Sequence, residues 1–87
     1  MIISLDQVKP KCSAKIVTID GGWSFRQKIS QLGLHIGDEI TLVRGGPFGG
    51  PLLISYNSAF VAIGRRMAQK IIVKVRHNGE KENQAKS

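Results

Sequence analysis

Arg44-Gly45-Gly46-Pro47-Phe48-Gly49-Gly50-Pro51-Leu52 separates two apolar, β-branched runs, Glu39-Ile40-Thr41-Leu42-Val43-Arg44 and Leu52-Leu53-Ile54-Ser55-Tyr56. Both runs have the length and composition of strands, and both end at this glycine and proline cluster. Glycine permits positive φ and close backbone approach, while proline holds φ at about −65° and lacks an N–H donor. The stretch therefore reads as a tight, shaped loop closing a β-hairpin. Phe48 at its centre is either a plug folded onto the core or an anchor held out for a partner.

Working outward, Asn57-Ser58 is a short turn in which Asn can take a positive φ, and Ala59-Phe60-Val61-Ala62-Ile63 is the next strand. Gly64 breaks it. Arg65 to Lys70 suits a single helical turn, and Ile71-Ile72-Val73-Lys74-Val75-Arg76 is the last strand. Upstream, Ala14 to Asp20 alternates as a half-buried strand that ends at Gly21-Gly22. Ser24 and Gln27 have the spacing of a capping box, and Phe25, Ile29 and Leu32 fall on one face of a short helix. Gly33 is placed for a left-handed stop, with Leu34 returning to touch Ile29. Leu5 to Val8 reads as an ordered lead-in, and His77 to Ser87 as a polar, disordered tail.

The expected fold is mainly β: a small five-stranded SH3-like barrel over residues 1–76, followed by the tail 77–87. One short helix is inserted after the first strand, and a helical turn precedes the last. Closing the sheet on itself is the economical way to manage edges in so short a chain.

The chain has 87 residues and a formal net charge of +7. That length supports one core and leaves little area for a deep catalytic cleft. From Ile40 to Gly79 there are six basic residues and no acid. The second half therefore projects a positive field toward something acidic. No apolar run is long enough to span a membrane, so no membrane insertion is expected. The opening Met1-Ile2-Ile3-Ser4-Leu5-Asp6 lacks the basic and apolar regions of a signal peptide, and the single cysteine cannot form an internal disulfide. These features lead to an expectation of a cytoplasmic location.

The residues that could ligate a metal are Cys12, His35, His77, Asp38 and Glu39, none in a recognised metal-binding spacing. They are weak candidates. No cofactor is expected, and a divalent ion would be adventitious or shared between molecules. The serines have no His at a suggestive position, and the glycine-rich loop lacks the phosphate-loop pattern, so the expectation is a protein that is not an enzyme. Nucleic acid is the rival class of partner, since basic barrels bind RNA or DNA through exposed aromatics. Phe25 and Phe60 read as core residues and Trp23 as a lid over the barrel end, which leaves a thin stacking platform. A protein partner suits the same residues better: Phe48 as an anchor, its loop neighbours Pro47, Gly49, Gly50 and Pro51, and a basic rim of Arg44, Arg65, Arg66 and Lys70.

Taken in order, Ser4-Leu5 with Lys9-Pro10, Arg26…Leu32-Gly33-Leu34…Gly37, Arg44…Pro47-Phe48-Gly49-Gly50-Pro51, and Ala62-Ile63 with Ala68 and Ile71 resemble the ferrous iron transport protein A (FeoA) family. The resemblance runs from about Ser4 to Val75. It implies a small SH3-like barrel that serves as a cytosolic accessory protein of bacterial ferrous iron uptake. It further implies contact with the cytoplasmic GTPase part of the iron transporter, and so recruitment to the inner face of the membrane. The same domain closes some iron-dependent repressors, so a stand-alone relative of that domain is an alternative. A homo-oligomer is another. The chain departs from the family pattern at Lys11, a usual glycine position, and at Phe48, where leucine is common.

Replacing Phe48 by Ala is expected to leave the circular dichroism and melting of the domain intact while weakening its binding to the transporter's cytoplasmic domain in calorimetry. Loss of folding would identify Phe48 as a core plug instead.

Overall fold

A computed structural model of the chain describes residues 1–45 and 49–76. Its elements are β1 (Ile2–Ser4), a 3₁₀ turn (Leu5–Gln7), β2 (Ser13–Ile19), α1 (Trp23–Gln31), β3 (Glu39–Arg44), β4 (Leu52–Tyr56), β5 (Ala59–Ile63), α2 (Arg65–Ala68) and β6 (Ile71–Arg76). The strands form one six-stranded sheet in the order β1-β6-β2-β3-β4-β5. Every neighbouring pair is antiparallel, and the expected closure is not made among the described residues: β1 and β5 stand at the two ends of the order and do not pair, because β1 adds to β6 instead. Register shifts between Ile16 and Thr18 in β2 and between Leu42 and Arg44 in β3 bend the sheet into a small SH3-like barrel.

Alternation along each strand fills the inside. Ile16, Ile40, Leu42, Ile54, Ile63 and Val73 point inward and are fully or almost fully buried. Leu5, Ile29, Leu34 and Ala68 close the same core from outside the sheet. Burying each large aliphatic side chain contributes about 1.5–3 kcal/mol before conformational entropy is counted. No polar or charged side chain among the described residues is buried.

All five strands read from the sequence are present, and β1 adds a sixth. Its three residues are too few to show a period. The register Ile2↔Lys74, Ile3↔Val73, Ser4↔Ile72 places them on the outer edge of β6, a long-range pairing that no local pattern announces. The lead-in at Leu5 is ordered as expected, with Leu5 buried in the 3₁₀ turn.

The start of α1 differs from the expected capping box. Gly22 is the N-cap and makes no side-chain cap bond, and Ser24 already lies inside the first turn, exposed. The cause is a close approach. A Cβ on Gly21 would stand 2.7 Å from Phe25 Cδ2, so the chain passes against the Phe25 ring and turns into the helix early.

The helix stop is as expected. Gly33 takes φ +90°. The Leu34 N–H donates to the Ile29 carbonyl at 3.3 Å and the Gly33 N–H to the Ser30 carbonyl at 2.9 Å, the two bonds of a Schellman motif. Leu34 then occupies the space beneath the helix, which leaves Leu32 38% exposed rather than in the core.

At the β4–β5 turn both Asn57 (φ 54°) and Ser58 (φ 68°) are left-handed, as a type I′ hairpin requires. Lys11 also has a left-handed backbone, φ 71°, and its N–H donates to the Leu42 carbonyl at 2.6 Å. A side chain there costs about 1–2 kcal/mol relative to a residue without Cβ, partly offset by the greater unfolded-state entropy of glycine, about 0.5–1 kcal/mol. Lys11→Gly is expected to stabilise the domain by about 1 kcal/mol, raising its melting temperature by about 4–8 °C. Lys11→Val is expected to lower it; paired thermal melts of the two variants check the sign.

Candidate functional site

The loop between β3 and β4 carries most of the residues expected to meet a partner. Gly46, Pro47 and Phe48 lie outside the described residues, as does the tail from His77 to Ser87. On the near side of the loop, Arg44 ends β3 exposed and opposite Leu53, and Gly45 packs its backbone on Leu52. On the far side Gly49 has φ +78°, Gly50 is half-buried and Pro51 exposed.

Gly49 meets α2. A Cβ added there would sit 3.9 Å from Arg65 Nε, an atom shielded from solvent. Arg65 is half-buried and lies beside Gly49. Ala68 pins the same helical turn to the core, where it is fully buried. Arg66, on the turn's outer side, is exposed. Lys70 holds its ammonium 5.2 Å from the centre of the Phe25 ring on α1. A cation over an aromatic face at an exposed site contributes about 0.5–1 kcal/mol. Gly49 and Arg65 are thus neighbours, Arg66 is exposed beside them in sequence, and Lys70 reaches the Phe25 ring.

The four weak metal candidates among the described residues do not converge. His35 and Asp38 share a turn: Asp38 Oδ2 accepts from the His35 backbone N–H at 2.8 Å and lies 3.6 Å from His35 Nδ1. Glu39 accepts from the Arg76 guanidinium at 2.6 Å. Cys12 is half-buried at the far end of β2, its carbonyl accepting from the Leu42 N–H. It stands three residues along that strand from Lys15, the partner of Glu39, a separation of about 10 Å. No three His, Cys, Asp or Glu side chains come together among the described residues. No helix of the described chain is long and apolar enough to cross a membrane.

Two aromatics depart from expectation. Phe60, read as core, is 69% exposed, and Trp23, read as a lid, is 74% exposed. Strand parity explains the first: Val61 and Ile63 take the inner positions of β5, which sends Phe60 and Ala62 outward. That parity was available in the sequence. Trp23 opens α1 directly after the exposed Gly22, on the side of the helix away from Ile29.

A FeoA domain family model matches residues 3–75. A protein of Methanocaldococcus jannaschii, provisionally named Fe(2+) transport protein A, is 35% identical over 65 residues, 74% of this chain and 77% of its own length. Among solved structures, an iron uptake regulatory protein (FeoA) superposes with a TM-score of 0.80 at 30% identity, over 87% of this chain and 99% of that one. The manganese regulator SloR superposes with a TM-score of 0.77 at 19% identity, over 85% of this chain and 34% of the regulator. The likeness to the regulator is one of fold.

Behind the His35 turn, partial burial and then the hydrogen bond and charge of Asp38 push the Tyr56 phenol above its ordinary value. The Asp38 carboxylate opposes a second negative charge beside it, so Asp38→Asn is expected to lower the Tyr56 midpoint. Tyr56 is the single tyrosine, so a tyrosinate absorbance titration reads it directly.

Proposed function

This chain belongs to the FeoA domain family, and we propose on that basis that it is a non-catalytic accessory protein of ferrous iron uptake, acting by contact with the cytoplasmic GTPase part of the iron transporter. Iron in this reading is the transporter's cargo, and the chain itself needs no resident cofactor. What supports the contact is that the far end of the β3–β4 loop lies beside α2: a Cβ on Gly49 would stand 3.9 Å from Arg65 Nε, so the two can present one face to a partner.

Charge supports the same reading. Between Ile40 and Arg76 every charged side chain is basic, so the loop and α2 face a partner with a uniform positive field. Such a field speeds encounter with an acidic surface more than it strengthens the final complex. Phe48, Pro47, Gly50 and Pro51 would form the apolar centre of the contact, with Arg44 and Arg66 at its rim. A cytoplasmic chain working at the inner face of the membrane fits this role.

Arg44 and Arg66 are exposed, so their reversal tests the rim without disturbing the half-buried Arg65. The Arg44→Glu, Arg66→Glu variant is expected to associate about tenfold more slowly with the transporter's cytoplasmic domain, with a flatter salt dependence. Stopped-flow association across a salt series, with and without nuclease, reads both. Unchanged rates would remove the basic rim from the mechanism, and loss of binding on nuclease treatment would favour nucleic acid.

A further inference from the structure

The sheet has two edges, β1 and β5, and they differ in how they meet solvent. Edge strands of soluble proteins are ordinarily guarded by charge, proline, a bulge or shortness. β1 is short, with three residues. β5, Ala59-Phe60-Val61-Ala62-Ile63, carries no charge and no proline, and its pairing with β4 runs without a bulge from Tyr56↔Ala59 to Leu52↔Ile63.

The two-residue turn fixes which backbone groups of β5 are spent. Tyr56 and Ala59 flank the turn as a hydrogen-bonded pair, and alternation makes Ile54–Val61 and Leu52–Ile63 the next such pairs. Phe60 and Ala62 then direct both N–H and C=O away from β4. Among the described residues no backbone bond to these outward groups is formed. Both residues also hold their side chains in solvent, Phe60 as a large apolar surface.

The surroundings are basic. Arg65 and Arg66 follow Ile63 after one residue. Arg44 stands in the same cross-strand row as Ala62, through Leu53, about 10 Å away across two strand spacings. We propose that the free edge of β5 is a docking strand for an extended, carboxylate-bearing segment of a partner protein, which adds to the sheet beside Phe60 and Ala62. Main-chain bonds supply affinity in this mode of recognition, and side chains supply selection. Phe60 selects for an apolar side chain, and the arginines select for acids. A second copy of this chain brings like charge to the same edge and is disfavoured. The inference goes beyond the role in iron uptake, since it needs only the edge and its charge and stands whichever protein supplies the segment.

A short synthetic peptide of alternating Val and Glu is the probe, with a Val–Lys peptide of equal length as control. At saturating Val–Glu peptide, amide exchange at Phe60 and Ala62 is expected to slow by about tenfold or more, while exchange at Ile54 and Val73 stays unchanged. Ala62→Pro removes an outward donor at a position where an edge strand tolerates proline, and should abolish the protection. Phe60→Lys keeps every backbone group, adds a guarding charge and should weaken it, so the test survives if the proline variant does not fold. Absence of protection, equal protection by the Val–Lys peptide, or protection that grows with protein concentration alone would overturn the proposal, the last by identifying a second copy as the occupant.

Discussion

The barrel depends on the pairing of β2 with β6. Ser13↔Arg76 at one end and Ile19↔Ile71 at the other join the early part of the chain to its last strand. Everything between them is a loop that this ladder must close, at an entropic cost that grows slowly with length. What offsets the cost is the inward row that the ladder aligns, Ile16 with Val73 and Ile19 with Ile71, each at or near full burial. β1 can add only because β6 is already held, and α2 is anchored through Ala68 to the core beneath the same strand. The break in register after Ile16 belongs to this ladder too, and it gives the sheet the local bend that a barrel needs.

Much of this was legible in the sequence where one rule acted alone. The five strands followed from period-two alternation bounded by glycine and proline. Gly33 announced the end of α1, because only a left-handed residue lets Leu34 bond back to Ile29. The beginning of α1 was not legible. Ser24 and Gln27 satisfy a capping-box pattern, but the contact between Gly21 and Phe25 sets where the chain turns. β1 was missed because its evidence lies entirely in β6. Phe60 reads as core on hydrophobicity alone, but strand parity gives the inner positions to Val61 and Ile63 and sends Phe60 outward.

The candidate site was legible in composition and only partly in geometry. The basic residues were visible as a block without acids. That Arg65 lies beside Gly49 while Lys70 reaches Phe25 depends on the tertiary placement of the segment between β5 and β6. Lys11 illustrates a different kind of information. Its departure from a usual glycine in the FeoA pattern marks a left-handed backbone that local propensity would not have assigned to lysine.

The Asn57-Ser58 turn has no slack. Because both of its residues are committed to left-handed conformations, its length sets the phase of β5 against β4. One inserted residue would shift that phase by half a period, carrying Val61 and Ile63 to water and Phe60 toward the interior. Length variation among relatives should therefore be rare in the hairpin that keeps the barrel in phase.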